Sequence, residues 1–200
     1  MNAVLGLALR TGRQVCVKVI KNSKDFFDQS LDEVQLLQYI NGKINEEEGG
    51  GAHVLTMHDF FYFKEHLFLV CELLRDNLYE FSRFNRESGS EPYFTLPRLR
   101  RIARQCLDAL VFVHGLDLIH CDLKPENILI KSYSRCEIKV IDFGSSCFTT
   151  DHLSSYVQSR SYRAPEVMLG TISMHSPGEI SAASRLNLGC ISAESRLHLG

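Results

Sequence analysis

The sequence predicts an α+β fold of two lobes, the first an antiparallel sheet with one helix and the second mainly helical. β-branched and aromatic runs at 15–20, 59–63 and 67–71 are typical of strands. From residue 95 onward, apolar residues recur at helical spacing. The chain has 200 residues, enough to bury a sizeable core. A fold of this class is expected to hold its chemistry in the cleft between the lobes.

In the first lobe, a helix is predicted over 24–40, where Asn41 and Gly42 are expected to end it. Its apolar stripe consists of Phe27, Leu31, Val34 and Leu37. The two later strands flank the short polar segment 64–66, which predicts a β-hairpin.

The second lobe is predicted to begin with a short helix over 77–84. Thr95 is expected to cap a longer helix that ends at Gly115. The apolar face of that helix consists of Leu96, Leu99, Ile102, Cys106, Leu110 and Val113. Three short strands are predicted at 118–119, 127–130 and 138–141.

The composition indicates an intracellular protein, cytoplasmic and/or nuclear. A net charge of −2 supports neither nucleic-acid binding nor a polybasic membrane patch. No apolar run is long enough to span a membrane, and the apolar start at 1–9 lacks a basic region and a cleavage site. Seven cysteines without a C-x-x-C pair fit a reduced chain better than a disulfide framework.

Three motifs carry the chemistry. They are His120-Cys121-Asp122-Leu123-Lys124-Pro125-Glu126-Asn127, Ile141-Asp142-Phe143-Gly144 and Ala164-Pro165-Glu166. Asp122 can accept the proton of an attacking hydroxyl, and Lys124 can contact the γ-phosphate of ATP. Asn127 and Asp142 offer the hard oxygen ligands that Mg²⁺ prefers. Each motif alone would also fit ordinary turn residues, but the ordered set predicts phosphoryl transfer.

These motifs resemble those of eukaryotic protein kinases, and finer details resemble the dual-specificity tyrosine-regulated (DYRK) family. The finer details are Cys121, Ser145-Ser146-Cys147, the runs 26–30, 71–74 and 77–80, and the run 156–163 before Ala164. The resemblance covers roughly residues 11–170. It implies a two-lobed kinase-like fold that transfers the γ-phosphate of MgATP to Ser/Thr of protein substrates, with Tyr autophosphorylation.

The resemblance also assigns a nucleotide site. Lys18 matches the strand lysine that contacts the α- and β-phosphates, and Glu33 matches the helix glutamate that holds it. Glu72 and Leu74 match the hinge whose backbone binds adenine. Cys71 takes the gatekeeper position, where related kinases usually carry a bulkier residue, so a deeper pocket behind the adenine is expected.

Cys121 stands where many kinases have an arginine that holds a phosphorylated activation loop. The resemblance assigns this pairing to Arg160 and Arg163 instead. We predict autophosphorylation of Tyr156, because its phosphate would add about −1.5 to −2 charge opposite two guanidinium groups. Cys121 and Cys147 could approach each other as a redox pair, although two free thiols are the expected state in a reducing compartment.

The chain departs from the family pattern in two places. No G-x-G-x-x-G precedes Lys18, and residues 1–10 contain only Gly6, so the glycine-rich loop and the first strand of the small lobe are expected to be missing. After Gly170 the family pattern stops, and the segment 180–189 is nearly repeated at 191–200. An exposed apolar underside of the large lobe is expected as a result.

The predicted organisation is therefore a partial small lobe at 1–73, a partial large lobe with catalytic and activation loops at 74–170, and a poorly packed tail at 171–200. Three hypotheses follow. The chain is an active kinase using ATP and Mg²⁺, a catalytically impaired fragment that acts as a binding or scaffold protein, or an incomplete gene model.

Overall fold

The computed structural model confirms the predicted α+β fold. The structure describes residues 2–8, 12–20, 22, 24–46, 51–89, 91–151 and 158–168. An antiparallel sheet with one long helix comes first, and helices with two short pairs of strands follow. In these described segments, no helix combines the length and the apolar character needed to cross a membrane.

The sheet has four strands in the spatial order β1-β2-β4-β3, all antiparallel. They are β1 (Asn2–Ala8), β2 (Arg13–Val19), β3 (Met57–Phe63) and β4 (His66–Glu72). The predicted strand and hairpin are confirmed, with Lys64 and Glu65 turning at positive φ. Strand β1 was not predicted, because its sequence has only a weak alternation. Pairing with β2 over its whole length, from Asn2↔Val19 to Ala8↔Arg13, explains why it is nevertheless extended.

Helix α1 (Lys24–Glu46) packs beside this sheet and is longer than predicted. Asn41 and Gly42 do not end it. The Asn41 amide donates to the Leu55 carbonyl at 3.1 Å, and its side-chain oxygen accepts from the Met57 N–H at 2.8 Å. Asn41 therefore binds the segment at the start of β3 and does not end its own helix, which continues to Glu46.

Two helices begin the second part of the chain, α2 (Leu78–Glu87) and α3 (Leu96–Gly115). Asn77 caps α2, since its side-chain oxygen accepts from the Glu80 N–H at 2.8 Å. Thr95 occupies the predicted N-cap position of α3, although its side chain makes no capping hydrogen bond. Leu96 is wrong as a core residue, being 70% exposed, and Val111 is 73% exposed on the same helix. Of the remaining predicted face, Ile102, Cys106, Leu110 and Val113 are buried and Leu99 is partly buried.

Short strands and helical turns hold the loops after α3. They are β5 (Leu118–Ile119), a 3-10 turn (Pro125–Asn127), β6 (Ile128–Ser132), β7 (Glu137–Val140), β8 (Cys147–Phe148), a second 3-10 turn (Arg160–Tyr162) and α4 (Pro165–Met168). Strand β6 pairs with β7, and β5 pairs with β8. The predicted strand at 127–130 begins one residue later, because Asn127 belongs to the 3-10 turn.

The core is continuous between the two parts of the chain. Leu37 and Leu69 from the first part are fully buried, as are Ile128 and Phe143 from the second. Backbone hydrogen bonds also cross the junction, from the Leu55 N–H to the Val140 carbonyl at 3.0 Å and from the Val140 N–H to the His53 carbonyl at 2.8 Å. Strand β7, which leads directly into Asp142, is thereby fixed to the sheet-bearing part.

Candidate active site

An ion pair joins strand β2 to helix α1. The Lys18 Nζ lies 2.6 Å from each carboxylate oxygen of Glu33, which is only 4% exposed. Burial raises the pKa of the Glu33 carboxyl, and the charge and hydrogen bonds of Lys18 oppose that rise. The bidentate contact fixes the ammonium between sheet and helix, which is the arrangement expected from the sequence.

A second cluster forms in the loop after β5. The Lys124 ammonium donates to Asp122 Oδ2 at 2.6 Å, and the Asn127 amide donates to the Asp122 carbonyl at 2.8 Å and to Oδ2 at 3.3 Å. The structure therefore brings Asp122, Lys124 and Asn127 together, all from one eight-residue motif. The turn Pro125–Asn127 creates this proximity by folding Asn127 back over the Asp122 backbone.

Ser159 completes the cluster and was not predicted from the sequence. Its hydroxyl donates to Asp122 Oδ1 at 2.7 Å, and its N–H donates to the same oxygen at 3.1 Å. The Lys124 ammonium donates to the Ser159 hydroxyl oxygen at 2.7 Å. Spacing could not reveal this contact between residues 37 positions apart, although Ser159 lies in the run that resembles the DYRK family.

His120 and Phe143 hold the two candidate catalytic segments against each other. The His120 Nδ1 accepts the Asp122 N–H at 3.2 Å, so Nε2 carries the proton and donates to the Ile141 carbonyl at 3.0 Å. Burial lowers the pKa of this imidazole, which favours its neutral form. The fully buried Phe143 ring packs 5.0 Å from the His120 ring, between centroids.

Asp142 points its charge toward the Lys18–Glu33 pair. A Cβ added at Gly144 would lie 3.6 Å from Asp142 Oδ1 and 3.7 Å from Glu33 Oε2, and the charge of Asp142 contributes to raising the pKa of Glu33. The Asp142 backbone has a φ of 67°, a left-handed conformation that costs energy in a residue other than glycine. Such strain is typical of positions where a side chain must be aimed at a ligand.

The oxygen atoms of Asn127 and Asp142 fit a magnesium ion. Among the described residues, neither the Asp142 carboxylate nor the Asn127 Oδ1 takes a hydrogen bond or an ion pair, while the Asn127 amide nitrogen is held by Asp122. No three His, Cys, Asp or Glu side chains of the described segments gather as a metal site. One carboxylate and one amide oxygen suit Mg²⁺, which usually takes few protein ligands and completes its shell with phosphates and water.

The hinge candidate Glu72 lies at the end of β4 and is tied to β7. Its Oε1 lies 2.9 Å from the Lys139 Nζ and accepts the Thr56 N–H at 2.8 Å. Burial would raise the pKa of Glu72, but the hydrogen bond and charge of Lys139 lower it overall. Lys139 also donates to the Val54 carbonyl at 2.7 Å. Lys139 was not singled out from the sequence, because a lysine inside a strand looks like an ordinary surface residue.

Leu74 follows the hinge outside any strand, and within the described part of the chain its N–H has no hydrogen-bond partner. The gatekeeper candidate Cys71 is 6% exposed and lies directly opposite Cys16 in the β2–β4 pairing. Burial raises the pKa of Cys71 to about 12, so its thiol is neutral and poorly reactive. Cys71 is therefore a small, buried side chain on the strand that leads into the hinge.

Cys121 and Cys147 lie together, as the sequence suggested they could. Their Sγ atoms are 3.5 Å apart, and both are free thiols. The hydrogen bond between them and burial raise the pKa of Cys121, whereas the bond from Cys121 lowers the pKa of Cys147. A redox function for this pair stays a hypothesis.

Of the residues predicted to act in the activation loop, the structure describes Arg160 and Arg163. Tyr156 and the tail at 171–200 lie outside the described residues. Arg160 begins the 3-10 turn Arg160–Tyr162, and Arg163 donates to the Gln158 carbonyl at 2.8 Å. Pairing of either arginine with a phosphate therefore stays a prediction.

Comparison with known proteins agrees with this geometry. The family model described as the protein kinase domain matches residues 2–194, so the chain belongs to the protein kinase family. Within that family it is similar to DYRK-type kinases. It is 42% identical over 186 residues to the serine/threonine-protein kinase ppk15 of Schizosaccharomyces pombe, which covers 93% of this chain and 33% of the relative.

Two further relatives show the same similarity. The dual specificity protein kinase YAK1 of Saccharomyces cerevisiae is 41% identical over 186 residues, covering 93% of this chain and 22% of the relative. The human dual specificity tyrosine-phosphorylation-regulated kinase 3 is 39% identical over 180 residues, covering 90% of this chain and 28% of the relative. The chain thus spans a third or less of the length of these curated relatives.

Proposed function

We propose that the protein transfers the γ-phosphate of MgATP to serine and threonine hydroxyls of protein substrates. The observation that carries this proposal is the contact among Asp122, Ser159 and Lys124. The Ser159 hydroxyl donates to the Asp122 carboxylate at 2.7 Å, and the Lys124 ammonium donates to the oxygen of that hydroxyl at 2.7 Å. Both side chains are thus positioned around an aliphatic hydroxyl, the functional group that the reaction consumes.

In the proposed reaction, the oxygen of the substrate hydroxyl attacks the γ-phosphorus while Asp122 accepts the hydroxyl proton. The bond between the γ-phosphorus and the bridging oxygen breaks, and ADP leaves with that oxygen. An ionised carboxylate has about four acceptor positions, so a substrate hydroxyl can bind beside the contacts with Ser159 and Lys124. Lys124 stabilises the negative charge of the phosphoryl group. Most of the catalysis would come from positioning and from charge stabilisation.

Nucleotide binding is assigned to the surrounding residues. Lys18, held by Glu33, would contact the α- and β-phosphates, and the backbone of Glu72 and Leu74 would bind adenine. Mg²⁺ bound by Asn127 and Asp142 would neutralise phosphate charge. The support for this set is the Lys18–Glu33 ion pair and the free oxygens of the two metal-ligand candidates.

The finer proposal is autophosphorylation of Tyr156, with its phosphate bound by Arg160 and Arg163. The similarity to dual-specificity kinases supports it. Mass spectrometry of protein expressed with ATP should find phosphate on Tyr156 in the wild type and none in an Asp142→Asn variant. An active preparation without that phosphate would count against this part of the proposal.

The transferase proposal is tested by ATP-to-peptide phosphoryl transfer with wild type, Asp122→Asn and Asp142→Asn. Each substitution keeps the shape of the side chain and removes its charge. We expect transfer in the wild type alone, and nucleotide binding that persists in Asp122→Asn. Equal signals from all three proteins would overturn the proposal and favour a non-catalytic binding role.

A further inference from the structure

A second candidate site lies away from the catalytic cleft. A cavity of about 610 Å³ opens between helix α3, the β6–β7 hairpin and the loop before β3. None of the proposed catalytic or nucleotide-binding residues is among those that line it. Four of its lining residues are cationic, Arg100, Arg101, Arg104 and Lys131.

The four lining cations outnumber the two lining carboxylates, Asp108 and Glu137. Among the described residues, none of the four forms an ion pair or a side-chain hydrogen bond. One lining carboxylate, Glu137, is bound by Arg135 through two hydrogen bonds of 2.8 and 3.1 Å. Arg135 contributes most to lowering the pKa of Glu137, and the charges of Lys131 and Arg101 lower it further. With Arg135 included, five cations are set against the two lining carboxylates, Glu137 and Asp108. The cavity has a local excess of positive charge on a chain whose net charge is −2.

Helix α3 adds to that positive potential. Its first turn contains no acidic residue, and the three arginines lie within its first three turns. The N-terminal end of a helix is the positive end of its dipole, an effect that falls off within the first turn, where Pro97 lines the cavity and the helix has no acidic residue to offset it. An isolated row of surface arginines would be an ordinary solvated face, but here the arginines line a concavity.

The cavity walls are fixed before any ligand binds. The buried Gln105 amide donates to the Cys136 carbonyl at 2.8 Å, and its oxygen accepts the Ile138 N–H at 3.1 Å. These bonds attach α3 to the hairpin on the opposite wall. A preformed groove loses less conformational entropy on binding than one that must be assembled.

We propose that this groove is a docking site for an acidic segment of a partner protein, rich in aspartate and glutamate. Charge complementarity supplies the attraction, and the planar guanidinium groups suit bidentate carboxylate contacts. A nucleic-acid strand fits less well, because Pro97 provides an apolar wall that suits an aliphatic side chain between carboxylates and not a continuous row of phosphates.

Fluorescence anisotropy with a labelled peptide of about ten residues, alternating Glu and Leu, tests the proposal directly. A matched peptide with Lys in place of Glu is the ligand control. We expect binding of the Glu peptide alone, weakened at least tenfold by the double variant Arg101→Glu/Arg104→Glu, with a strong dependence on salt. Far-UV circular dichroism checks that the charge-reversed variant folds. If it does not, the milder double variant Arg101→Gln/Arg104→Gln takes its place, and it should also weaken binding of the Glu peptide.

The matched protein control is Arg86→Glu/Arg83→Glu, which changes the net charge equally on helix α2, outside the groove. It should leave the peptide affinity within about twofold of the wild type. Equal weakening by both double variants would show a non-specific charge effect and overturn the proposal. Tighter binding of a single-stranded oligonucleotide that displaces the peptide would also overturn it. Because the readout is binding, its failure would leave the proposed phosphoryl transfer untouched.

Discussion

Replacing Lys139 with methionine tests whether a buried ion pair holds the hinge in place. The Lys139 side chain is 6% exposed and that of Glu72 is 16% exposed, so both charges are largely removed from water. Methionine keeps most of the apolar stem and removes the ammonium that contacts Glu72 and the Val54 carbonyl. Breaking a buried pair by removing one partner typically costs about 3–5 kcal/mol. We expect about 3 kcal/mol, since the Thr56 N–H still binds the carboxylate.

A double-mutant cycle separates the pair from the loss of packing. The partner substitution is Glu72→Gln, which keeps an oxygen for the Thr56 N–H. The double variant buries no unpaired charge, so its destabilisation should be smaller than the sum of the two single effects by about 2 kcal/mol. Urea unfolding followed by far-UV circular dichroism measures each free energy, because the chain has no tryptophan to report by fluorescence.

The control pair is Arg83 and Glu80, joined at 2.6 Å on α2 but about half exposed on both sides. Its coupling should not exceed about 0.5 kcal/mol. Since Lys139 lowers the pKa of Glu72, the stabilisation is complete above the ordinary carboxyl pKa of 4.5 and is lost as the pH falls through the folded-state value. A Lys139–Glu72 coupling as small as the control at pH 7 would refute the reasoning.

Three further predictions concern the catalytic segments. Ser159→Ala should lower kcat about ten- to hundredfold by releasing Asp122 and Lys124, and Ser159→Thr should restore it; steady-state kinetics would contradict this if alanine were fully active. Since burial lowers the pKa of His120, the neutral imidazole contributes its full stabilisation above the ordinary histidine pKa of 6.5, and the free energy of unfolding should decline as the pH falls below that value. In urea unfolding, His120→Gln should make this dependence on pH weaker. An unchanged dependence would be evidence against the buried neutral imidazole. Cys71→Phe should weaken inhibitors with a bulky group behind the adenine at least tenfold; equal inhibition constants would exclude the deeper pocket.

Residues in one continuous motif were predictable from the sequence. Asp122, Lys124 and Asn127 come together because a tight turn acts over a few positions, and the hairpin β3–β4 has its own local turn. The Lys18–Glu33 pair required the resemblance to kinases, since 15 positions and a change from strand to helix separate the two residues. The kinase motifs predicted this pairing, which local secondary-structure propensity could not predict.

The missed features all depend on contacts distant in sequence. Lys139 looks like a surface lysine until β7 is placed beside the hinge, 67 positions from Glu72. Ser159 is one serine among many until the loop after β8 returns to Asp122. Asn41 resembles a helix terminator by its intrinsic preference, and only its two hydrogen bonds to the β3 segment keep the helix going. In each case tertiary hydrogen bonds outweigh the local tendency.

Strand β7 connects the two halves of the candidate site. Lys139 ties it to the candidate hinge, the Val140 backbone ties it to the segment before β3, and the Ile141 carbonyl accepts a hydrogen bond from His120 Nε2. The next residue is Asp142, whose left-handed backbone is strained. A strained residue keeps its geometry only if its neighbours are held firmly, and these three contacts hold the preceding residues from three directions. Removing the Lys139 ammonium should therefore move Asp142 as well as the candidate hinge. Because Asp142 is a proposed Mg²⁺ ligand, we expect Lys139→Met to weaken Mg²⁺-dependent nucleotide binding more than metal-free nucleotide binding. Equal weakening of both would place the effect at the hinge alone.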